Sequence, residues 1–194
     1  MHSGIQGILL AAGRSQRFGG DKRFAPIAGR PMALHTALRW KEVMGQALLV
    51  VLRADDVELA ALLAAQDIAY THCPDASQGM GHSLAHGVRC RARASGWVVG
   101  LADMPQLRPS TVLCVARALG PGRIVVPTCD GVRGHPVGFD AVFGPALMAL
   151  KGDQGARALL LAHPQALHPI EQPDPGMLID VDRPDQIPDA GGRC

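Results

Sequence analysis

A loop rich in glycine and basic residues follows the first apolar segment of the chain. Residues 8–22 read Ile-Leu-Leu-Ala-Ala-Gly-Arg-Ser-Gln-Arg-Phe-Gly-Gly-Asp-Lys, and they contain three cations and three glycines, namely Arg14, Arg17 and Lys22 with Gly13, Gly19 and Gly20. Glycines let backbone N–H groups converge on an anion, and the cations add the charge that a phosphate chain needs. The spacing matches neither the P-loop nor the Gly-x-Gly-x-x-Gly pattern. The loop suits a triphosphate, although an ordinary glycine-rich turn with solvated basic side chains would read the same.

A single aspartate stands just after another apolar segment. Residues 97–101 are Trp-Val-Val-Gly-Leu, and Asp103 follows them immediately before Met104-Pro105. Mg²⁺ is commonly held by one or two protein carboxylates together with phosphate oxygens and waters. Asp103 could supply such a carboxylate at the end of a strand, or it could cap the turn that follows.

Two further aspartates lie near the end of the chain, in Leu-Ile-Asp-Val-Asp. We predict a strand over 177–181, along which Asp180 and Asp182 alternate and point to the same side. Paired carboxylates on one face repel each other unless a cation lies between them or solvent screens them. Either of the two could complete a metal site with Asp103, and the spacing does not say which. A solvated strand end is the alternative for the other.

Three segments could contact other parts of a ligand. Residues 79–83, Gly-Met-Gly-His-Ser, stand at a predicted helix start and offer N–H groups and a hydroxyl to a nucleotide base or ribose, or simply to a helix cap. The other two segments are Arg-Gly-His-Pro at 133–136 and Gly-Asp-Gln-Gly-Ala-Arg at 152–157. From the residues alone, His135 would be an ordinary loop residue.

These motifs, in this order, resemble those of the MobA-like nucleotidyltransferases, which activate a small molecule by transferring a nucleoside monophosphate to it. The first loop is similar to the family's Leu-Ala-Ala-Gly-x-Ser-x-Arg-Met-Gly followed by Lys, with Phe18 where Met is usual. Residues 101–105 are similar to its metal-binding Leu-Ala-Asp-x-Pro. Residues 180–186 resemble its closing Asp-Ile-Asp-Thr-Pro-Glu-Asp, with Arg183 in place of Thr and Gln186 in place of Asp. The matching segments span residues 5–186.

The resemblance implies a role for each matching residue. It implies that the catalytic residues are Arg14, Lys22 and Asp103. It implies that the nucleotide is bound by Leu10, Ala11, Ala12, Gly13, Arg14, Ser15, Lys22, Gly79, Met80 and Ser83. It implies acceptor binding by Arg133, His135, Gln154 and Arg157, and a Mg²⁺ site at Asp103, Asp180 and Asp182.

Within the family, the chain looks most like the molybdenum cofactor cytidylyltransferases. Their guanylyl-transferring relatives usually have Gly-Gly in place of Ala12-Gly13, and Pro-Cys in place of Leu101-Ala102. The resemblance implies transfer of CMP from CTP to the terminal phosphate of molybdopterin, with release of pyrophosphate, and as a protein partner a molybdoenzyme or its maturation chaperone. The alternatives are a transferase acting on another phosphorylated small molecule and a non-catalytic protein that binds a nucleotide or cofactor.

The elements that must position these motifs alternate along the chain. Apolar segments at 5–10, 47–52, 68–72, 97–101 and 123–127 predict strands, and residues 31–40, 55–65, 78 onward and 109–119 predict helices. This alternation predicts a three-layer α/β/α sandwich with a Rossmann-like, mostly parallel sheet, which the resemblance assigns to the nucleotide-diphospho-sugar transferase type. In such sheets ligands bind at the carboxyl ends of the strands, where the first loop and Asp103 would lie.

The pattern loosens after Pro127. A loop rich in Gly and Pro at 131–139 leads into a short strand at 137–139, followed by helices at 145–150 and 155–162. We predict late strands at 167–170 and 177–181, and a tail from 184 onward.

Composition limits the other classes of function. The chain has 194 residues, a net charge of +2 and five cysteines. So small a net charge, without a large basic patch, argues against nucleic acid and membrane partners. The cysteines are widely spaced and never form Cys-x-x-Cys, which argues against a disulfide framework or structural zinc and fits the cytoplasm. We expect one nucleotidyltransferase domain over 1–194, with a core at about 5–186.

Overall fold

The computed structural model describes residues 4–13, 18–153 and 155–187. The strands in this part of the chain are β1 Ile5–Leu10, β2 Pro26–Ile27, β3 Arg30–Pro31, β4 Leu48–Arg53, β5 Ala69–Cys73, β6 Gly96–Leu101, β7 Ile124–Cys129, β8 Val132–Arg133, β9 Val137–Asp140 and β10 Leu167–Glu171. The helices are α1 Met32–Met44, α2 Val57–Ala64, α3 Met80–Cys90, α4 Pro109–Ala118, α5 Gly144–Met148 and α6 Arg157–Ala162.

The described strands form one large, mostly parallel sheet and one small hairpin. The sheet has eight strands in the order β10-β7-β9-β6-β1-β4-β5, with β8 paired to β7. Strands β1, β4, β5 and β6 pair in parallel, as do β7 and β10. Strand β9 is antiparallel to both of its neighbours, β6 and β7. Strands β2 and β3 pair separately from the sheet.

Helices cover both faces of the sheet because side chains along each strand alternate between two apolar cores. Leu9, Val50 and Val98 face the core that is completed by α1, α2 and α4. Ile8 and Val51 face the opposite core, which α3, α5 and α6 complete. Continuous apolar strands buried on both faces are typical of parallel sheets. The predicted three-layer α/β/α architecture is confirmed.

Most predicted elements are present, with boundaries shifted by a few residues. The helix predicted at 31–40 begins one residue later and continues to Met44, since Pro31 pairs in β3. The helix predicted at 55–65 is shorter because Asp56 precedes its first turn as the N-cap residue. None of the described helices combines the length and hydrophobicity that a membrane span requires.

The strand predicted at 177–181 is wrong. Residues Pro175–Leu178 form a 3-10 turn, because Asp174 accepts a hydrogen bond from Gly176 N at 3.1 Å and Pro175 favours the first position of a helical turn. The buried Asp174 carboxylate also accepts from Thr111 Oγ1 at 2.6 Å, which ties the turn to α4. Capping thus outweighs the apolar pattern that suggested a strand.

The tail predicted from residue 184 is also wrong over its first residues. Pro184–Gln186 form a second 3-10 turn, and Gln186 Oε1 accepts hydrogen bonds from the backbone N–H groups of Asp182 and Arg183, both at 2.8 Å. Ile187 packs against a small cluster that contains Val181. Residues 188–194 lie outside the described part of the chain.

Candidate active site

A cleft of about 530 Å³ opens at the carboxyl ends of β1 and β6. It collects many of the residues predicted to bind nucleotide or metal: Leu10, Ala12, Gly13, Lys22, Gly79, Met80, Ser83, Asp103, Asp180 and Asp182. Positions more than 170 residues apart in sequence therefore share one cavity. Its location is the one that open α/β sheets use for ligands.

Four residues of the cleft lie outside the predicted set. They are Ala76, Ser77, Leu101 and Asp153. Leu101 and Asp153 lie within motifs identified in the sequence, so their place in the cleft could be inferred from the predicted residues beside them. Nothing in the sequence marks Ala76 or Ser77, which enter the cleft through the 3-10 turn Ala76–Gln78 before α3.

Other residues predicted to bind ligand lie beneath the cleft or outside the described part of the chain. Ala11 is buried and is not among the described residues that line the cleft, and its carbonyl accepts a hydrogen bond from Arg23 Nη1 at 2.9 Å. Arg14, Ser15 and Gln154 lie outside the described residues.

Backbone hydrogen bonds determine where the first loop begins. Ala11 N donates to Val51 O at 2.9 Å, and Ala102 N donates to Leu10 O at 3.0 Å. These bonds continue the ladders of β1 with β4 and β6 one residue past the end of the strand. The chain therefore leaves the sheet at Ala12 and Gly13, where both residues border the cleft.

Lys22 connects two of the carboxylates. Its side chain lies in the 3-10 turn Lys22–Phe24, and Nζ lies 2.7 Å from Asp103 Oδ2 and 2.7 Å from Asp182 Oδ1. Burial by itself would lower the pKa of Lys22, but the two carboxylates outweigh burial and the pKa is raised. The lysine therefore stays charged at neutral pH. Its contribution to stability is complete below about pH 10 and is lost as the pH rises through the raised pKa.

Asp103 has one carboxylate oxygen that no other described residue contacts by a hydrogen bond. Its backbone carbonyl accepts from Val181 N at 2.9 Å and its Oδ2 contacts Lys22, but Oδ1 is buried and has no hydrogen-bond partner among the described residues. A buried carboxylate oxygen left unpaired is costly. A hard divalent cation would satisfy it, because such ions prefer carboxylate oxygens.

Asp180 and Asp182 reach the cleft from an irregular segment rather than from the predicted strand. Val181, between them, is buried, and its N–H donates a hydrogen bond to the Asp103 carbonyl. Asp180 and Asp182 on either side therefore face the cavity. Within the described residues, no three His, Cys, Asp or Glu side chains form a group that could hold a metal ion. One or two carboxylates with phosphate oxygens suffice for Mg²⁺, and Asp103 with either aspartate fits that donor set.

The turn before α3 packs closely against Gly152. Gly79 has φ +124°, and a Cβ on it would lie 2.4 Å from the carbonyl carbon and oxygen of Gly152. Gly81 N donates to Gly152 O at 2.7 Å, and Gly152 N donates to His82 Nδ1 at 3.2 Å. A glycine at position 79 is thus required both by the backbone conformation and by the space available.

Replacing Gly79 with Ala should lower the free energy of unfolding by about 2–6 kcal/mol, since strained backbone and overlap each cost about 1–3 kcal/mol. Gly122→Ala is the matched control, because Gly122 has φ +70° but nothing within 4 Å of a Cβ. The control should cost about 1–2 kcal/mol. Urea unfolding of both variants measures the difference, and equal losses of unfolding free energy would contradict the close packing of Gly79 against Gly152.

A second cavity of about 280 Å³ adjoins the cleft and shares Leu101 and Asp180 with it. It contains two of the residues predicted to bind the acceptor, Arg133 and His135. Burial lowers the pKa of His135 even though Asp103 and Asp180 favour its charged form, so the imidazole is neutral at pH 7. Arg157, at the first residue of α6, is exposed and lines neither cavity.

Comparison with known proteins identifies relatives along most of the chain. The model of the MobA-like NTP transferase domain matches residues 7–167. Purine catabolism protein PucB of Bacillus subtilis is 34% identical, over 93% of this chain and 92% of its own. Nicotine blue oxidoreductase of Paenarthrobacter nicotinovorans is 30% identical over 94% of both chains. A molybdenum cofactor guanylyltransferase of Cupriavidus metallidurans is 32% identical over 71% of this chain and 62% of its own.

Solved structures show the same fold. Rv0371c of Mycobacterium tuberculosis superposes with a TM-score of 0.77 at 28% identity, covering 94% of both chains. The complex of Rv0371c with manganese superposes with a TM-score of 0.71 at 26% identity, covering 88% of this chain and 89% of that one.

Proposed function

This chain belongs to the MobA-like NTP transferase family and is a nucleotidyltransferase, and we propose that it transfers CMP from CTP to the terminal phosphate of molybdopterin, releasing pyrophosphate. One observation carries the proposal. The cleft at the end of β1 and β6 places the cation of Lys22 beside Asp103, whose second oxygen has no partner among the described residues. A cation for phosphates and an open carboxylate oxygen are what transfer from a nucleoside triphosphate requires.

The proposed chemistry needs positioning and charge neutralisation more than a protein nucleophile. The terminal phosphate of the acceptor attacks the α-phosphorus of CTP in line, and pyrophosphate leaves. Lys22 would compensate phosphate charge, and the backbone of Ala12 and Gly13 would border the phosphate chain. Arg14 and Ser15, in the same loop, are proposed to take part as well.

We propose Mg²⁺ as the metal, held by Asp103 with Asp180 or Asp182. The manganese complex of Rv0371c supports the use of a divalent ion in this fold. When bound, such an ion would neutralise negative charge on the triphosphate as the reaction proceeds.

The acceptor is proposed to bind in the second cavity. Arg133 and a neutral His135 could donate hydrogen bonds to its phosphate there, while Leu101 and Asp180 border both cavities and so mark where the two substrates would meet. A relative that is a molybdenum cofactor guanylyltransferase supports a molybdopterin-type acceptor. On this proposal, a molybdoenzyme or its maturation chaperone would receive the product.

Pyrophosphate release from CTP in the presence of molybdopterin tests the proposed function. Release with molybdopterin alone among a panel of phosphorylated small molecules would support it. Release with a different member of the panel would move the activity to another acceptor, and tight CTP binding without any release would indicate a nucleotide-binding protein that lacks turnover.

We expect turnover with CTP to exceed turnover with GTP. The substitution Ala12→Gly should lower the ratio of CTP turnover to GTP turnover about tenfold. Ala12 lines the cleft, and a methyl group in a pocket is worth about 1–3 kcal/mol of discrimination. Ala92→Gly, on an exposed turn after α3, is the control and should leave the ratio unchanged. Turnover measured with CTP and with GTP tests this expectation. Faster reaction of the unmodified protein with GTP would contradict CTP specificity.

A further inference from the structure

A partly buried ionic network lies beneath the start of the first loop, at Ala11 and Gly13, and lines neither cavity. At its centre is Arg23, which is only 4% exposed and directly follows Lys22. The guanidinium contacts two carboxylates, each through two nitrogens. Asp21 accepts from Nε at 2.9 Å and from Nη2 at 2.6 Å, and Asp56 accepts from Nη2 at 2.7 Å and from Nη1.

A second arginine extends the network to the end of β4. Arg53 Nη1 lies 3.1 Å from Asp21 Oδ2, and the backbone N–H of Arg53 donates to Asp56 Oδ2 at 2.9 Å. The two guanidiniums and two carboxylates balance in charge. Burial opposes the charged form of Arg23, but Asp21 and Asp56 outweigh it and raise its pKa, so the guanidinium stays charged.

The two arginines also bind the backbone of the loop. Arg23 Nη1 donates to the carbonyl of Ala11 at 2.9 Å, and Arg53 Nη2 donates to the carbonyl of Gly13. In a trans peptide the carbonyl and the following N–H point in opposite directions. Holding the Ala11 carbonyl against Arg23 therefore turns the N–H of Ala12 away from the network, at a position that lines the cleft.

We propose that Arg23 is a positioning residue, which, with Asp56, holds the start of the loop at Ala11–Gly13 and the turn that carries Lys22 in the geometry that binds a triphosphate. The inference deepens the proposed function and rests on it for the identity of the anion. Arg23 touches no substrate in this arrangement. Arg23 acts indirectly: it holds the Ala11 carbonyl through a hydrogen bond, and it fixes the position of its chain neighbour Lys22.

The test compares Arg23→Lys and Asp56→Asn with the unmodified protein. Lysine keeps the charge, but its three N–H donors lack the planar fork with which Arg23 contacts each carboxylate through two nitrogens and donates to the Ala11 carbonyl. Asp56→Asn keeps the shape and makes the surroundings of the loop more positive, so simple charge attraction would tighten anion binding, whereas lost positioning would weaken it. Asp140→Asn is the control, since Asp140 pairs with Gly96 at the opposite end of the sheet and accepts from Gly122 N at 2.9 Å.

Binding of inorganic tripolyphosphate with Mg²⁺, measured by calorimetry, gives the first readout, and the KM and kcat for CTP give the second. We expect both variants to raise the dissociation constant and the KM at least tenfold, with kcat at saturating CTP changed less than threefold. The control should change neither quantity. Circular dichroism and thermal melts establish the folded fraction of each variant. If Arg23→Lys does not fold, the result for Asp56→Asn alone decides the test.

A lower melting temperature with unchanged tripolyphosphate affinity and KM would show a purely structural role and overturn the inference, as would tighter binding by Asp56→Asn. Failure of the unmodified protein to bind tripolyphosphate would also overturn it. Failure of the proposed function looks different: the unmodified protein would bind tripolyphosphate but release no pyrophosphate from CTP, and the comparison of affinities would still decide the role of Arg23.

Discussion

Asp103→Asn should reduce turnover at least a hundredfold while leaving the protein folded. The amide has nearly the shape of the carboxylate but lacks the charge that would hold a divalent ion, and each ~1.4 kcal/mol lost from transition-state stabilisation is a factor of ten in rate. Folding should survive because Lys22 keeps its 2.7 Å contact with Asp182. Turnover at saturating Mg²⁺ is the measurement, alongside a thermal melt.

The same chemical change at Asp67 provides the control. Asp67 is exposed, with φ +51°, a conformation that asparagine adopts readily, and we expect Asp67→Asn to have normal turnover. Near-normal turnover of Asp103→Asn would remove Asp103 from the site and favour its role as a turn residue. Should that variant unfold, Asp103→Ser, which also removes the charge, would replace it in the comparison.

Lys22→Met should raise the KM for CTP about ten- to a hundredfold. The variant loses a charged hydrogen-bond donor worth about 1–3 kcal/mol to the phosphates, and each ~1.4 kcal/mol is a factor of ten in affinity. Methionine keeps most of the apolar stem that the buried lysine provides. The initial rate as a function of CTP concentration measures the effect.

Lys41→Met is the matched control for the loss of a lysine. Lys41 lies on α1, away from the cleft, and its ammonium donates to Gln66 O at 2.6 Å. Removal of this ammonium should therefore leave the KM for CTP unaltered. An unchanged KM and rate in Lys22→Met would exclude Lys22 from nucleotide binding. Its position between Asp103 and Asp182 would then serve only to balance their charges.

The alternation of apolar and helical segments was enough to predict the sheet and its layers, because local patterns determine which face of each strand is buried. Asp103 could be placed at the cleft for the same reason, since a residue just past a parallel strand lies at the binding edge. The order of strands was not predictable in the same way. That β9 would insert antiparallel between β6 and β7 depends on long-range packing, which no short window of sequence contains.

Two features around the site escaped prediction for a related reason. Asp180 and Asp182 were predicted at the site, but the strand predicted to carry them is absent, because the capping of Pro175–Leu178 by Asp174 outweighed the apolar pattern. The contact of Arg23 with Asp56 joins residues 33 positions apart. Neither residue belongs to a motif, so only the folded chain shows that they meet.

The reversed direction of β9 has an evolutionary consequence. Residues 130–136 connect β7 to β9 through β8 and return to the sheet at the binding edge, where Gly134 N donates to Pro127 O at 2.9 Å and His135 N donates to Met177 O at 3.0 Å. Both ends of this segment are held by strands that contribute nothing to the nucleotide cleft. This segment lines one side of the second cavity, and Met104, Met177 and Leu178 contribute to the rest. On the proposed assignment, changes in this segment would alter acceptor preference while the nucleotide-binding half stays unchanged, and chimaeras that swap it between relatives should show altered acceptor preference.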